Sequence, residues 1–97
     1  MRREDYVFCM GYEGSTSIVD GRLMRKYGSH TTRALAEAGL YKQAICSALW
    51  SGGKGELDEV LAGFNQRATV PVRTAEELMR IFGTTGVPEG VKKVTVV

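Results

Sequence analysis

The first residues that could do chemistry lie in a glycine-containing stretch, residues 7–21 ("VFCMGYEGSTSIVDG"), where the thiol of Cys9 precedes several hydroxyl side chains. A phosphate-binding loop of the G-x-x-x-x-G-K-[ST] type needs a lysine, which "GYEGST" lacks, and Glu13 would repel a phosphate. A phosphatase-type cysteine loop needs an arginine a few residues after the thiol, and the first one is Arg22. We therefore interpret the stretch as a turn of the chain, in which the glycines permit positive φ angles.

A second interpretation of the same stretch leaves room for a bound anion. If Ser15 or Thr16 caps a helix, the backbone N–H groups of residues 14–17 lie at its N-terminus, where negative charge is favoured. The turn interpretation needs only the glycine bend and the cap. It is our expectation, and the anion site in the loop from Gly11 to Ser15 stays open.

Few other residues could support catalysis or bind a metal ion. His30 is the only histidine of the chain, and it has no cysteine pair at ligand spacing, so we expect no metal site. Cys9 lies in an apolar segment, which is typical of a buried small side chain rather than a nucleophile. The acidic residues group at helix starts, where the helix dipole accounts for them. The sequence therefore predicts a protein that is not an enzyme and has no cofactor.

Charge is distributed unevenly along the chain, although its formal net value is only +2. Residues 21–53 contain five Lys and Arg residues and one acidic residue, whereas residues 54–91 contain four and six. The first segment is thus net +4 and the second net −2. An acidic partner such as nucleic acid would bind the first segment, although solvated helix faces would produce the same distribution.

Residues 31–50, "TTRALAEAGLYKQAICSALW", resemble a helix-turn-helix unit. A short helix containing "LAEA" precedes a glycine turn, and an amphipathic helix follows. In such units the second helix enters the major groove with its N-terminal side chains. The resemblance implies nucleic-acid binding, with base contacts from the second helix and phosphate contacts from the basic residues around it. The base-facing residues would be Tyr41, Lys42, Gln43 and Ser47, and the phosphate-binding residues Arg22, Arg25, Lys26 and Arg33.

An alternative function is a protein-interaction or regulatory module with no nucleic-acid contact. Its binding surface would be an exposed strand edge at residues 94–97 or an apolar patch that includes Tyr41 and Trp50. The same edge would favour self-association by strand pairing. Exposure of Lys42, Gln43 and Ser47 beside the arginines favours nucleic acid, whereas burial of residues 41–47 against the sheet excludes it.

The elements that position these residues form a mostly helical α+β fold. Residues 6–10 ("YVFCM") are short, β-branched and aromatic, which predicts a strand buried on both faces, and "VKKVTVV" predicts a terminal strand. Residues 15–27 fit either a hairpin that turns at Asp20-Gly21 or a helix. The hexapeptide "LMRKYG" recurs as "LMRIFG", which favours a helix ending at Gly28.

Four further helices are predicted from their caps and apolar spacing. Thr31 or Thr32 begins the first, which Gly39 ends, and residues 40–50 form the second. The segment "ELDEVLAGFNQR" forms the third, and Thr74 caps the fourth. "ATVPVR" is an edge strand or an extended link, because Pro71 cannot lie in a central strand. We expect about four to five helices packed on a small sheet that includes the N- and C-terminal strands.

Size and composition are consistent with one compact domain spanning residues 1–97. The chain is 43% hydrophobic and 25% charged, which is ordinary for a globular protein. It begins without the apolar segment of a signal peptide, and no apolar run reaches the roughly 20 residues that span a bilayer. We expect a cytoplasmic protein with no membrane contact, in which Cys9 and Cys46 stay reduced.

The nucleic-acid hypothesis predicts salt-dependent binding. Titration with mixed duplex DNA should give an affinity that falls steeply as salt rises, because each phosphate contact releases counterions. Replacing Arg25 and Lys26 by alanine should weaken binding to all sequences alike. Absent or salt-insensitive binding would contradict the hypothesis, and an unchanged affinity of the variant would mean that the cationic surface lies elsewhere.

Overall fold

Six helices and a three-stranded sheet make up the protein in the computed structural model, which describes residues 1–97 apart from the side chain of Lys54. This architecture confirms the predicted small, mostly helical α+β fold. The elements in chain order are α1 (Arg3–Val7), β1 (Cys9–Glu13), β2 (Thr16–Val19), α2 (Gly21–Tyr27), α3 (Thr32–Glu37), α4 (Tyr41–Ser51), α5 (Lys54–Arg67), α6 (Ala75–Ile81) and β3 (Lys93–Val96).

The N-terminal segment differs from the predicted strand at residues 6–10. Residues up to Val7 are helical in α1, and the first strand begins only at Cys9. Tyr6, Val7 and Phe8 are nevertheless buried, as expected of an apolar run. The Asp5 carboxylate accepts a hydrogen bond of 2.9 Å from the N–H of Arg2, which supports the first turn of the helix. A buried run this short carries no period that separates a strand from a helix.

Strands β1 and β2 form an antiparallel hairpin that turns at Gly14, whose φ is +57°. Tyr12 pairs with Ser17 and Glu13 with Thr16 on either side of this turn. The interpretation of the stretch as a chain turn is confirmed at Gly14, whereas Gly11 lies within β1 and has no positive φ. The anion site was wrong in its premise, because Ser15 lies in the turn and Thr16 begins a strand rather than a helix.

Residues 15–27 contain both a strand and a helix, so neither alternative describes the whole segment. Asp20 lies between β2 and α2 and accepts hydrogen bonds of 3.1 Å from the N–H groups of Arg22 and Leu23. It is the N-cap of α2 rather than a hairpin residue. The predicted helix end at Gly28 is confirmed, since Gly28 is the C-cap.

Helix α4 lies at the centre of the helical layer and packs against α1, α3 and α5. Leu35, Ile45, Val60 and Leu78, from four different helices, are all buried in the core. The predicted helix caps are confirmed: the Thr31 and Thr74 hydroxyls accept hydrogen bonds of 3.1 Å and 3.2 Å from the first turns of α3 and α6. Gly39 and Gly83 follow the helix ends with positive φ. Residues 68–74 form an extended link without strand pairing.

Strand β3 returns to the sheet after five helices and pairs with β2 in parallel. The strand order is β1-β2-β3, so β2 is central and β3 is an edge strand. Ser17 pairs with Val94 and Val19 with Val96, which confirms the predicted terminal strand. Ser17 and Val19 are fully buried beneath the helices, whereas every residue of β3 is exposed.

A close approach of the chain at Gly21 fixes the end of β3 against the start of α2. A Cβ atom on Gly21 would lie 2.8 Å from Val96 Cγ1 and 2.8 Å from the Val97 carbonyl oxygen. The Gly21 N–H also donates a hydrogen bond of 3.0 Å to that oxygen. Gly21 is therefore required by its neighbours and not by its own φ angle.

Replacing Gly21 by alanine should loosen the end of β3, because the added methyl group must displace the carbonyl of Val97. We expect the free energy of unfolding to fall by about 1–3 kcal/mol, the usual cost of overpacking. The Val97 amide, which donates to Val19 O at 2.9 Å, should exchange its proton faster. Gly11→Ala is the matched control, since nothing lies within 4 Å of its Cβ position. Equal free energies of unfolding and equal exchange rates of the Val97 amide in the two variants would contradict the close contact at Gly21.

Candidate functional site

Ser47, predicted to face the bases, is instead buried in the helical core with 3% of its surface exposed. Its Oγ lies 2.7 Å from Thr32 Oγ1 and accepts a hydrogen bond of 2.8 Å from Arg3 Nη2. A buried hydroxyl that is bonded to the buried Thr32 and the half-buried Arg3 cannot reach a DNA groove. The base-contact prediction for Ser47 is therefore wrong, and the residue instead joins α1, α3 and α4.

Arg3 completes this junction and was missed by the sequence analysis. Besides Ser47, its guanidinium donates hydrogen bonds to the carbonyl oxygens of His30 at 2.7 Å and Gly28 at 3.2 Å. These contacts tie the N-terminal helix to the connection between α2 and α3. The only sequence signal for this junction concerned the burial of Ser47, which lies on the same face of its helix as Ala44 and Ala48.

Tyr41 belongs to a cluster of aromatic side chains and is half-buried. Its ring meets that of Phe64 edge-on, with centroids 5.2 Å apart, and lies 6.1 Å from the ring of Phe82. Trp50, the other member of the predicted apolar patch, packs near Tyr6 at 6.2 Å. Both rings pack against the core and are half-buried, so the predicted apolar patch is only partly exposed. The base contact of Tyr41 stays a prediction.

Lys42 and Gln43 are half-buried on the first turn of α4. Lys42 lines a cavity of about 200 Å³ together with Tyr6, Cys9 and Cys46. Both cysteines are free thiols, as predicted. Burial raises the pKa of the Cys46 thiol to about 11, and Tyr6 and Lys42 oppose this only partly. Cys46 is therefore protonated near neutral pH and is a poor nucleophile.

The four predicted phosphate-binding residues are all exposed, but they differ in their surroundings. Arg33 on α3 forms an ion pair with Glu37, with 3.1 Å between Nε and Oε1. Arg22, Arg25 and Lys26 lie on α2, and Lys26 Nζ is 5.3 Å from the centroid of the Tyr27 ring. The three cations of α2 thus lie on one short helix, and Arg25 among them lies near Gly21 and the end of β3.

The outer edge of β3 is the candidate functional site. The N–H groups of Lys93 and Val97 donate inward, to Ser15 O at 3.2 Å and Val19 O at 2.9 Å. Backbone groups alternate in direction along a strand, so the N–H and C=O groups of Val94 and Val96 point away from β2. Within the part of the chain that the structure describes, no strand lies on that side.

The side chains of the same two valines are only partly covered. Val94 and Val96 stand in register with Ser17 and Val19, the residues of β2 that face the helices. Ser17 and Val19 are fully buried, but Val94 is 38% exposed and Val96 47%. The helical layer therefore covers the middle of the sheet and leaves this edge with free apolar surface and free backbone groups.

Comparison with protein-family models, curated proteins and solved structures gives no match to the chain. Among the described residues, no helix is both long enough and apolar enough to cross a membrane. The part of the chain whose side chains are described holds no group of three or more His, Cys, Asp or Glu residues arranged to bind a metal ion.

Replacing Ser47 by alanine should lower the free energy of unfolding by about 1–2 kcal/mol, because Thr32 loses a buried hydrogen bond and Arg3 a partly buried one. Urea unfolding measures this loss, and Ser29→Ala is the control, since Ser29 is an exposed serine. A base-contacting serine would behave in the opposite way. Its removal would weaken DNA binding and leave stability unchanged.

Proposed function

We propose that the protein is a protein-binding module that takes up an extended segment of a partner as a further strand beside β3. The observation that carries the proposal is the edge at Val94 and Val96, where outward backbone groups and half-covered side chains occur together. Strand addition uses both features. The backbone groups supply affinity through hydrogen bonds, and alternate side chains supply specificity.

The other edge of the sheet is less suited to this role. The pairing of β1 with β2 is interrupted between Cys9 and Gly11, where the register shifts. Such bulges twist an edge and discourage a further strand. The pairing of β2 with β3, by contrast, is continuous from Lys93 to Val96. The regular edge of β3 is therefore the better template.

The surroundings of α4 favour protein binding over base readout. Ser47 and Tyr41, two of the four expected base-facing residues, are engaged within the fold, and the other two are half-buried. A recognition helix needs an exposed face along its first turns. Nucleic-acid binding by the exposed cations of α2 stays a prediction, and the DNA titration described above tests it.

The proposal is tested with a seven-residue peptide of alternating valine and threonine with glutamine at both ends. NMR titration of the protein should shift the amide signals of Val94 and Val96 more than those of β1. Val94→Pro removes one outward N–H group and leaves the bonds to β2 intact. It should weaken binding about tenfold, since a lost hydrogen bond contributes about 0.5–1.5 kcal/mol and the proline ring adds a clash.

Val94→Ala is the matched control, because it shortens the side chain but keeps the N–H group. It should bind more tightly than the proline variant, and both should unfold as one cooperative unit. Shifts confined to β1 or α4, or equal affinity of the proline and alanine variants, would contradict strand addition at β3.

A further inference from the structure

We infer that the strand taken up by β3 is acidic at both of its ends. This inference rests on the proposed function and adds the chemistry of the partner. Lys92 and Lys93 stand exposed at the start of β3, and Arg25 of α2 lies near its end, beside Gly21 and Val97. A segment that lies along the edge would therefore meet positive charge at both of its ends.

The position of α2 relative to β3 is set by the close approach at Gly21. The Val97 carbonyl oxygen and Arg25 Nη1 lie 2.8 Å and 3.2 Å from the point where a Gly21 Cβ would stand. The guanidinium of Arg25 is thus held next to the last residues of the strand. Arg22, one turn earlier on the same helix, is exposed beside it.

Among the described side chains, the acidic residues near this edge form no ion pair with its cations. Asp20 is engaged as the N-cap of α2, and Glu13 lies in β1, with β2 between it and Lys93. Glu89 is exposed in the loop before the strand. Among the side chains that the structure describes, the ion pairs are those of Arg2 and Arg33. The cations around β3 are therefore available to a partner.

The same charges disfavour a second copy of the chain as the added strand. Antiparallel pairing of two β3 strands about Thr95 would place Val94 opposite Val96. Lys92 and Lys93 of one copy would then lie beside Arg25 of the other, and like charges repel across such an interface. A segment with Asp or Glu at each end replaces this repulsion with attraction, and the valine side chains contact its alternating apolar residues.

Three peptides with the same alternating valine and threonine core test the inference, ending in glutamate, glutamine or lysine. We expect the glutamate peptide to bind about fivefold more tightly than the glutamine peptide at low salt, since each exposed ion pair adds little. The lysine peptide should bind most weakly. The differences in affinity among the three peptides should shrink as the salt concentration rises toward about 0.5 M, because screening weakens exposed charge pairs.

Protein variants locate the cations responsible. Replacing Lys92 and Lys93, or Arg25 alone, by glutamine should reduce the ratio of glutamate-peptide affinity to glutamine-peptide affinity. Arg80→Gln on α6 is the matched control, because it removes one exposed cation from a helix that packs on α5. The control should keep the full preference.

The outcomes separate the inference from the proposed function. If the glutamine and glutamate peptides bind β3 equally, the acidic preference is overturned and strand addition stands. If none of the three shifts the signals of Val94 and Val96, the proposed function itself is overturned. Self-association through β3, or duplex DNA bound by the α2 cations in place of peptide, would also overturn the inference.

Discussion

The hydroxyl of Ser47 and the two groups that hold it form the junction on which the helical layer depends. Thr32 and Arg3 approach it from α3 and α1, while α4 carries it through the centre of the core. Buried polar groups tolerate few arrangements, because each must keep its hydrogen bonds. The junction therefore fixes how three helices meet. It also commits the middle of α4 to the interior, whereas the edge of the sheet at β3 extends beyond the helical layer.

The parts of the fold that the sequence predicted well are those decided by contacts between near neighbours. Thr31 and Thr74 cap helices by accepting hydrogen bonds from residues three positions later. Gly39 and Gly83 end helices because positive φ is easily reached without a side chain. Each of these signals lies within one or two helical turns. The helical class of the protein followed from such local features.

The parts that the sequence missed depend on residues far apart in the chain. The burial of Tyr6 and Val7 was predicted, but a run this short fits a strand or a helix equally. Ser47 was predicted to lie on the exposed face of α4. Its partner Arg3 is far away in the chain, so no residue near Ser47 in the sequence indicates their contact. The strand at β3 was predicted, whereas its parallel pairing with β2 was not. Neighbouring residues contain no information about such pairings.

The close contact at Gly21 links the exposed edge to the order in which the chain can assemble. Five helices separate β2 from β3, so their pairing closes a loop that includes most of the protein, and contacts of this span form late in folding. We expect the last strand to dock on Gly21 only after α2 has formed, because Val97 accepts a hydrogen bond from the Gly21 N–H at the start of that helix. We expect the docking edge to be absent from partly folded chains, so that a partner would capture only molecules that have finished folding.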